Sequence, residues 1–110
     1  MAKSPVWRVP VNGHRVVLGC LLTPRDRARA DGAEPPLAEL RRLAESAGAE
    51  PVAEMIQRRE TPTGSHYFGV GKAGELKALC RRHRATAVIV DDELSPVQGR
   101  NLEKELGLTV

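Results

Sequence analysis

The sequence predicts an α/β domain: a small doubly wound parallel sheet of about four strands, in the order β-α-β-α-β-α-β, with helices on both faces. Two observations carry this prediction. The run Ala87-Val88-Ile89-Val90 is short, β-branched and apolar throughout, as expected of a strand buried on both sides, and two helix-start signals bracket it. Along the rest of the chain, strand-length apolar runs take turns with stretches whose apolar residues recur at three- and four-residue spacing. Parallel neighbours need crossover helices between them, and the usual solution for a small sheet of this kind has the spatial order 2-1-3-4.

Residues 1–14 read as an amino-terminal extension and residues 15–110 as the domain. The first strand is Arg15-Val16-Val17-Leu18-Gly19-Cys20-Leu21-Leu22, apolar enough to be covered on both faces. The segment Thr23 to Pro36 is rich in charge, Ala, Gly and Pro and is expected to be a mobile loop. A helix follows from Pro36 to Ala47. Its inner face holds Leu37, Leu40, Leu43, Ala44 and Ala47, and Gly48 stops it. Ala49 to Gln57 is the second strand, although Val52, Met55 and Ile56 do not alternate cleanly.

Glu60 to Ser65 is a turn-rich loop that leads into Tyr67-Phe68. A second helix opens near Gly71, with Leu76, Leu79 and Cys80 on one face. The third strand is Thr86 to Val90. After it, Ser95-Pro96-Val97-Gln98 combines an N-cap serine, a proline preset for the first helical position and a glutamine able to close a capping box, so a helix runs from Pro96 to Leu106. Gly107 ends that helix, and Leu108-Thr109-Val110 begins a fourth strand.

Composition narrows the function classes. The only aromatic residues are Trp7, Tyr67 and Phe68, so aliphatic side chains supply nearly all the core. No apolar run approaches transmembrane length and the start lacks the hydrophobic section of a secretory signal, so the reading is a cytoplasmic protein with no membrane span. Cys20 and Cys80 are sixty positions apart and read as buried hydrophobes. His14, His66 and His83 are equally scattered, so no metal site is expected.

The formal net charge is +3, and thirteen of the seventeen basic residues are arginine, whose planar fork suits phosphate. Before Ala30 there are six basic residues, Lys3, Arg8, Arg15, Arg25, Arg27 and Arg29, against the single acid Asp26. A second cluster is Arg81-Arg82-His83-Arg84. It either faces RNA or opposes the negative end of its own helix dipole, and one set of side chains can do both.

Three motifs invite chemistry. Gly69-Val70-Gly71-Lys72-Ala73-Gly74 resembles a phosphate-binding loop, but the G-x-x-x-x-G-K-[ST] spacing is absent and Ala73 replaces the magnesium-binding hydroxyl. Gly69, Gly71, Lys72 and Gly74 remain candidates for contacting phosphate at a helix start, or for capping alone. Asp91-Asp92-Glu93 lies after a strand, where open α/β sheets bind ligands, but acids are also stabilised there by a helix's positive end. No catalytic residues are expected, since no histidine or nucleophile is paired with these acids. Arg58 and Arg59, followed by His66, Tyr67 and Phe68, offer the guanidinium and aromatic mixture that RNA recognition uses. For the two rings core anchoring is the first reading, and Arg58 and Arg59 carry the functional one.

The segment Gln57-Arg58-Arg59, the Tyr67 to Lys72 glycine loop, and Asp91-Asp92-Glu93-Leu94-Ser95-Pro96 with Arg100-Asn101-Leu102-Glu103 together resemble the amino-terminal domain of the HflX family of ribosome-associated GTPases. The resemblance implies a module that docks on the large ribosomal subunit and its rRNA, in a family associated with splitting or rescuing ribosomes under stress. It further implies a downstream GTPase domain, itself a partner of this one, that uses GTP and Mg2+. No cofactor is expected in the chain itself. No P-loop and no guanine-reading N-K-x-D occurs in the sequence, so GTP hydrolysis is not expected here. The expected rRNA contacts are Arg58, Arg59, Lys72, Arg81, Arg82 and Arg84. Control of the GTPase domain, and ATP binding on the glycine loop, are the competing functions. Resembling proteins continue beyond the last strand, so the chain reads as an amino-terminal piece of marginal stability.

Overall fold

The computed structural model describes residues 11–24 and 35–110. Lys3, Trp7, Arg8, Arg25, Arg27 and Arg29, and most of the expected loop from Thr23 to Pro36, lie outside the described residues. Among the described residues the elements run β1 Arg15–Leu22, α1 Ala38–Ser46, β2 Glu50–Arg58, α2 Val70–Arg82, β3 Ala87–Val90 and α3 Pro96–Leu106. None of these helices is long and apolar enough to cross a membrane.

The three strands form a parallel sheet in the order β2-β1-β3, the first three positions of the expected 2-1-3-4. The fourth position is touched at one point. Ala87 and Thr109 form a parallel bridge in which the Val88 N–H donates to the Thr109 carbonyl at 2.9 Å. As the central strand, β1 is buried at every position after Arg15, which accounts for its uninterrupted apolar run.

Alternation along β1 divides the core into two layers. Val16, Leu18, Cys20 and Leu22 pack with Leu37, Leu40 and Ala44 of the α1 side. Val17 and Leu21 face the other way, onto Tyr67, Phe68, Leu76, Cys80, Leu102 and Leu106 from the α2 and α3 side. Gly19 shares that second face. A Cβ built there would lie 3.1 Å from Phe68 Cζ, so the missing side chain provides the space that the fully buried ring fills.

Imperfect alternation in the second strand has a local cause. Between Val16 and Val17 of β1 the register jumps from Pro51 to Ala53, leaving Val52 as the extra residue of a bulge. Val52 and Ala53 therefore pack on the same layer, and the period resumes afterwards with Met55 on that layer and Ile56 on the opposite one. Pro51, which has no N–H to give, is tolerated because β2 is an edge strand.

The helix ends are set by sequence. Gly48 has φ +89° after α1, the Ala49 N–H donates to the Ala44 carbonyl at 3.0 Å and the Gly48 N–H to the Glu45 carbonyl at 3.0 Å, a Schellman closure. A Cβ on Gly48 would also meet Asn12 Cβ at 2.8 Å. Gly48→Ala is expected to lower stability by about 1–3 kcal/mol, from left-handed strain plus the clash. A shifted urea midpoint with an unchanged m-value would register it. At the start of α3, Ser95 Oγ accepts from the Gln98 N–H at 3.1 Å while Gln98 Oε1 accepts from the Ser95 N–H at 2.9 Å, completing the expected capping box.

Candidate nucleic-acid interface

All strands point the same way and α2 returns against them, so its two ends lie at opposite edges of the sheet. This divides the basic residues singled out from the sequence. Arg58, Arg59, Lys72 and the glycine loop lie at the carboxyl edge. Arg81, Arg82 and Arg84 lie at the amino edge. Along the 13 residues of α2 the separation is roughly 20 Å at the usual helical rise.

At the carboxyl edge the chemistry is largely committed to the fold. Arg58, the last residue of β2, is exposed. Arg59 donates its backbone N–H to the Leu22 carbonyl at 3.1 Å and its Nε–H to the Thr61 carbonyl at 3.1 Å. Its guanidinium lies over Gly69, where a Cβ would be 2.8 Å from Nη1. The Gly69 N–H is taken by Gln57 Oε1 at 3.0 Å, and Lys72 Nζ pairs with Glu75 at 3.1 Å. Gly71 and Gly74 stand within α2 facing open space, so neither is needed for a close backbone approach.

The two aromatic rings are core anchors. Tyr67 and Phe68 are 2% and 0% exposed and meet edge to face at 5.0 Å, leaving no free face for a base. Tyr67 also adopts φ +68°, a strained conformation for an aromatic residue. It is held there by a paired bridge to Thr63 and by its hydroxyl, which donates to Asp92 Oδ2 at 2.9 Å. From α3, Gln98 Nε2 donates to the Thr63 carbonyl at 2.9 Å and Asn101 Nδ2 to the Ser65 carbonyl at 2.8 Å, stapling the loop. Asp92 Oδ1 accepts from the Glu93 N–H at 2.7 Å. Asp92 is thus occupied as an acceptor of local bonds, and no group of three potential metal ligands occurs among the described residues.

The amino edge is different. Lys77, Arg81 and Arg84 follow one another at i, i+4 and i+7, which brings them to one side of α2 and its terminus. With Cys80, Ala85, Leu106 and Leu108 they line a groove of about 210 Å³ between the carboxyl-terminal ends of α2 and α3. No described residue forms an ion pair with Lys77, Arg81, Arg82 or Arg84. Each helix end contributes about −0.5 charge, so three rim cations leave the groove at about +2. Arg84 occupies the left-handed position after α2 with φ +54°, where the Ala85 N–H donates to the Cys80 carbonyl at 2.9 Å, a Schellman closure normally served by glycine.

Behind the cluster, Arg15 ties three elements together. Its guanidinium donates to the His83 carbonyl at 3.0 Å and pairs with Glu50 at 3.1 Å, joining β1, β2 and the end of α2. Lys77 and the apolar floor escaped the sequence reading. For Lys77 the signal was present, in its spacing of one turn from Arg81; Leu106 and Leu108 meet α2 only through tertiary packing.

Burial of the groove floor pushes the Cys80 thiol from its ordinary 9.0 up to about 11, so it is neutral and unreactive at physiological pH. The raised value means that the folded state holds its proton after the unfolded chain has lost it. The thiol's contribution to stability is therefore fully present below pH 9 and is lost, by roughly 2–3 kcal/mol, as pH rises from 9 to 11. Urea unfolding across that range should show a decline that is shallower in Cys80→Ala than in the wild type by about that amount.

Residues 34–110 match the family described as GTP-binding GTPase N-terminal. The chain is 42% identical over 77 residues to the GTPase HflX of Caldanaerobacter subterraneus subsp. tengcongensis, covering 70% of this chain and 18% of that protein. It is 42% identical over 96 residues to the GTPase HflX of Lacrimispora saccharolytica, covering 87% of this chain and 22% of that protein. With the GTPase HflX of Escherichia coli it shares 33% identity over 92 residues, 84% of this chain and 20% of that protein. The chain thus spans about a fifth of the length of these relatives. A match over that range, repeated in relatives from distant bacteria and joined to the expected parallel α/β sheet, places the chain in the HflX family, to which it belongs as the GTP-binding GTPase N-terminal domain.

Proposed function

We propose that this chain is the ribosome-binding module of an HflX-type GTPase, a cytoplasmic protein, and contacts rRNA of the large subunit while GTP is bound and hydrolysed elsewhere in the protein. The observation that carries the reading is the set of cations Lys77, Arg81, Arg82 and Arg84 at the amino edge, which pair with no acid among the described residues. Among the described residues of the carboxyl edge the acids Glu60, Glu75, Asp91, Asp92 and Glu93 outnumber Arg58, Arg59 and Lys72. Phosphate contact is therefore assigned mainly to the amino edge, with exposed Arg58 as an outlying contact.

GTP and its Mg2+ do not fit the residues present here. Lys72 is paired with Glu75 and the Gly69 N–H with Gln57, so the glycine loop offers neither a free lysine nor a complete cradle of N–H donors. The relatives carry the name GTPase, and the proposal places that activity in a domain that uses this one as its anchor on the ribosome. Binding of the chain to purified large subunits, measured from 50 to 300 mM salt, tests the reading. Affinity should fall steeply as salt rises. Binding that is absent at low salt, or indifferent to salt, would refute it.

A further inference from the structure

We infer that the groove between the ends of α2 and α3 takes the base of a single unpaired nucleotide, with the flanking phosphates held by Lys77, Arg81 and Arg84. The inference rests on the rRNA-binding reading and adds which kind of RNA is recognised. At about 210 Å³ the groove is smaller than the roughly 300–1,000 Å³ of sites that enclose a whole small ligand. It suits one ring-sized group whose remainder lies outside, as one unit of a polymer does.

Lining chemistry decides between polymers. The floor, made by Cys80, Ala85, Leu106 and Leu108, is apolar, and the thiol there is neutral. The rim is three cations without acid partners among the described residues, two of them arginines. Guanidinium planes stack on unpaired bases, and the same groups bind phosphate, so one rim serves both parts of a nucleotide. A paired base is held in its stack and cannot reach the floor, whereas a splayed one can. Arg84 contributes from a left-handed backbone position that favours glycine, so this arginine is kept at some expense in stability.

The test uses the 110-residue chain and three labelled RNAs of equal length: a single strand, the same strand with abasic sugars at its central positions, and a duplex. Fluorescence anisotropy at 100 mM salt should show the intact strand binding about tenfold more tightly than the abasic strand or the duplex. Ala85→Leu fills the floor without removing a cation, and its leucine packs over Cys80 at a position where apolar residues are favoured. This variant should bind all three RNAs with the affinity the wild type shows for the abasic strand. Equal wild-type affinity for intact and abasic strands would overturn the inference while leaving phosphate binding standing. A preference that survives in Ala85→Leu would overturn it by locating the base elsewhere. No RNA binding at all would remove the rRNA reading and the inference together. If instead an acidic, leucine-containing peptide bound the wild type and not Ala85→Leu, the groove would be a protein-docking site and the inference would fall.

Discussion

Phe68→Ala is expected to lower stability by about 3–5 kcal/mol, a large part of the 5–15 kcal/mol available to an ordinary domain. The ring is completely buried, in the layer shared by β1, α2 and α3. Its partner in shape is Gly19. An added Cβ there sits 3.1 Å from the ring's outermost carbon, so Gly19→Ala should cost about 1–3 kcal/mol by overpacking. Leucine in place of Phe68 removes that outermost carbon. In Gly19→Ala/Phe68→Leu the two changes should therefore offset one another by 1 kcal/mol or more. Urea unfolding of the wild type, both single variants and the double variant closes the cycle. Strict additivity would show that the glycine is not there to house the ring.

The second large effect is on binding. At 0.1 M salt each phosphate contact to a single strand contributes about fivefold through counterion release, so Arg81→Gln/Arg82→Gln/Arg84→Gln should weaken RNA binding about 100-fold and lower the salt slope by about 2. Arg58→Gln should change affinity by fivefold or less. Loss of binding in a triple variant invites the objection that the domain has been damaged, and Arg84→Gly answers it. Glycine relieves the left-handed backbone at φ +54° and should raise stability by about 0.5–1 kcal/mol while weakening RNA binding about fivefold. Stability and affinity moving in opposite directions within one variant separates the arginine's ligand contact from its place in the fold. If both rise, Arg84 does not touch RNA.

The architecture was legible in the sequence because its signals are local. The capping box at Ser95 and Gln98, the stops at Gly48 and Gly107, and the unbroken apolar run of β1 each depend on neighbours within a turn or two. The β2 bulge was visible only as a fault in alternation, since the extra residue Val52 is defined by its register against β1. Candidate site residues were legible as charges but not as groups. The direction of α2 sends Arg58 and Arg59 to one edge and Arg81 to Arg84 to the other, a consequence of parallel topology that residue spacing does not reveal. Tyr67 and Phe68, expected first as core anchors, are enclosed as such because the stapled loop turns them inward.

The length of α2 has one more consequence. Val70, the first residue of that helix, is 78% exposed, and Val97 in the first turn of the neighbouring helix is 48% exposed, both at the edge remote from the cationic groove. Two bodies seated on these opposite edges would share no contact residue. Each would dissociate without waiting for the other, and the order in which they arrive would leave the finished ternary assembly the same.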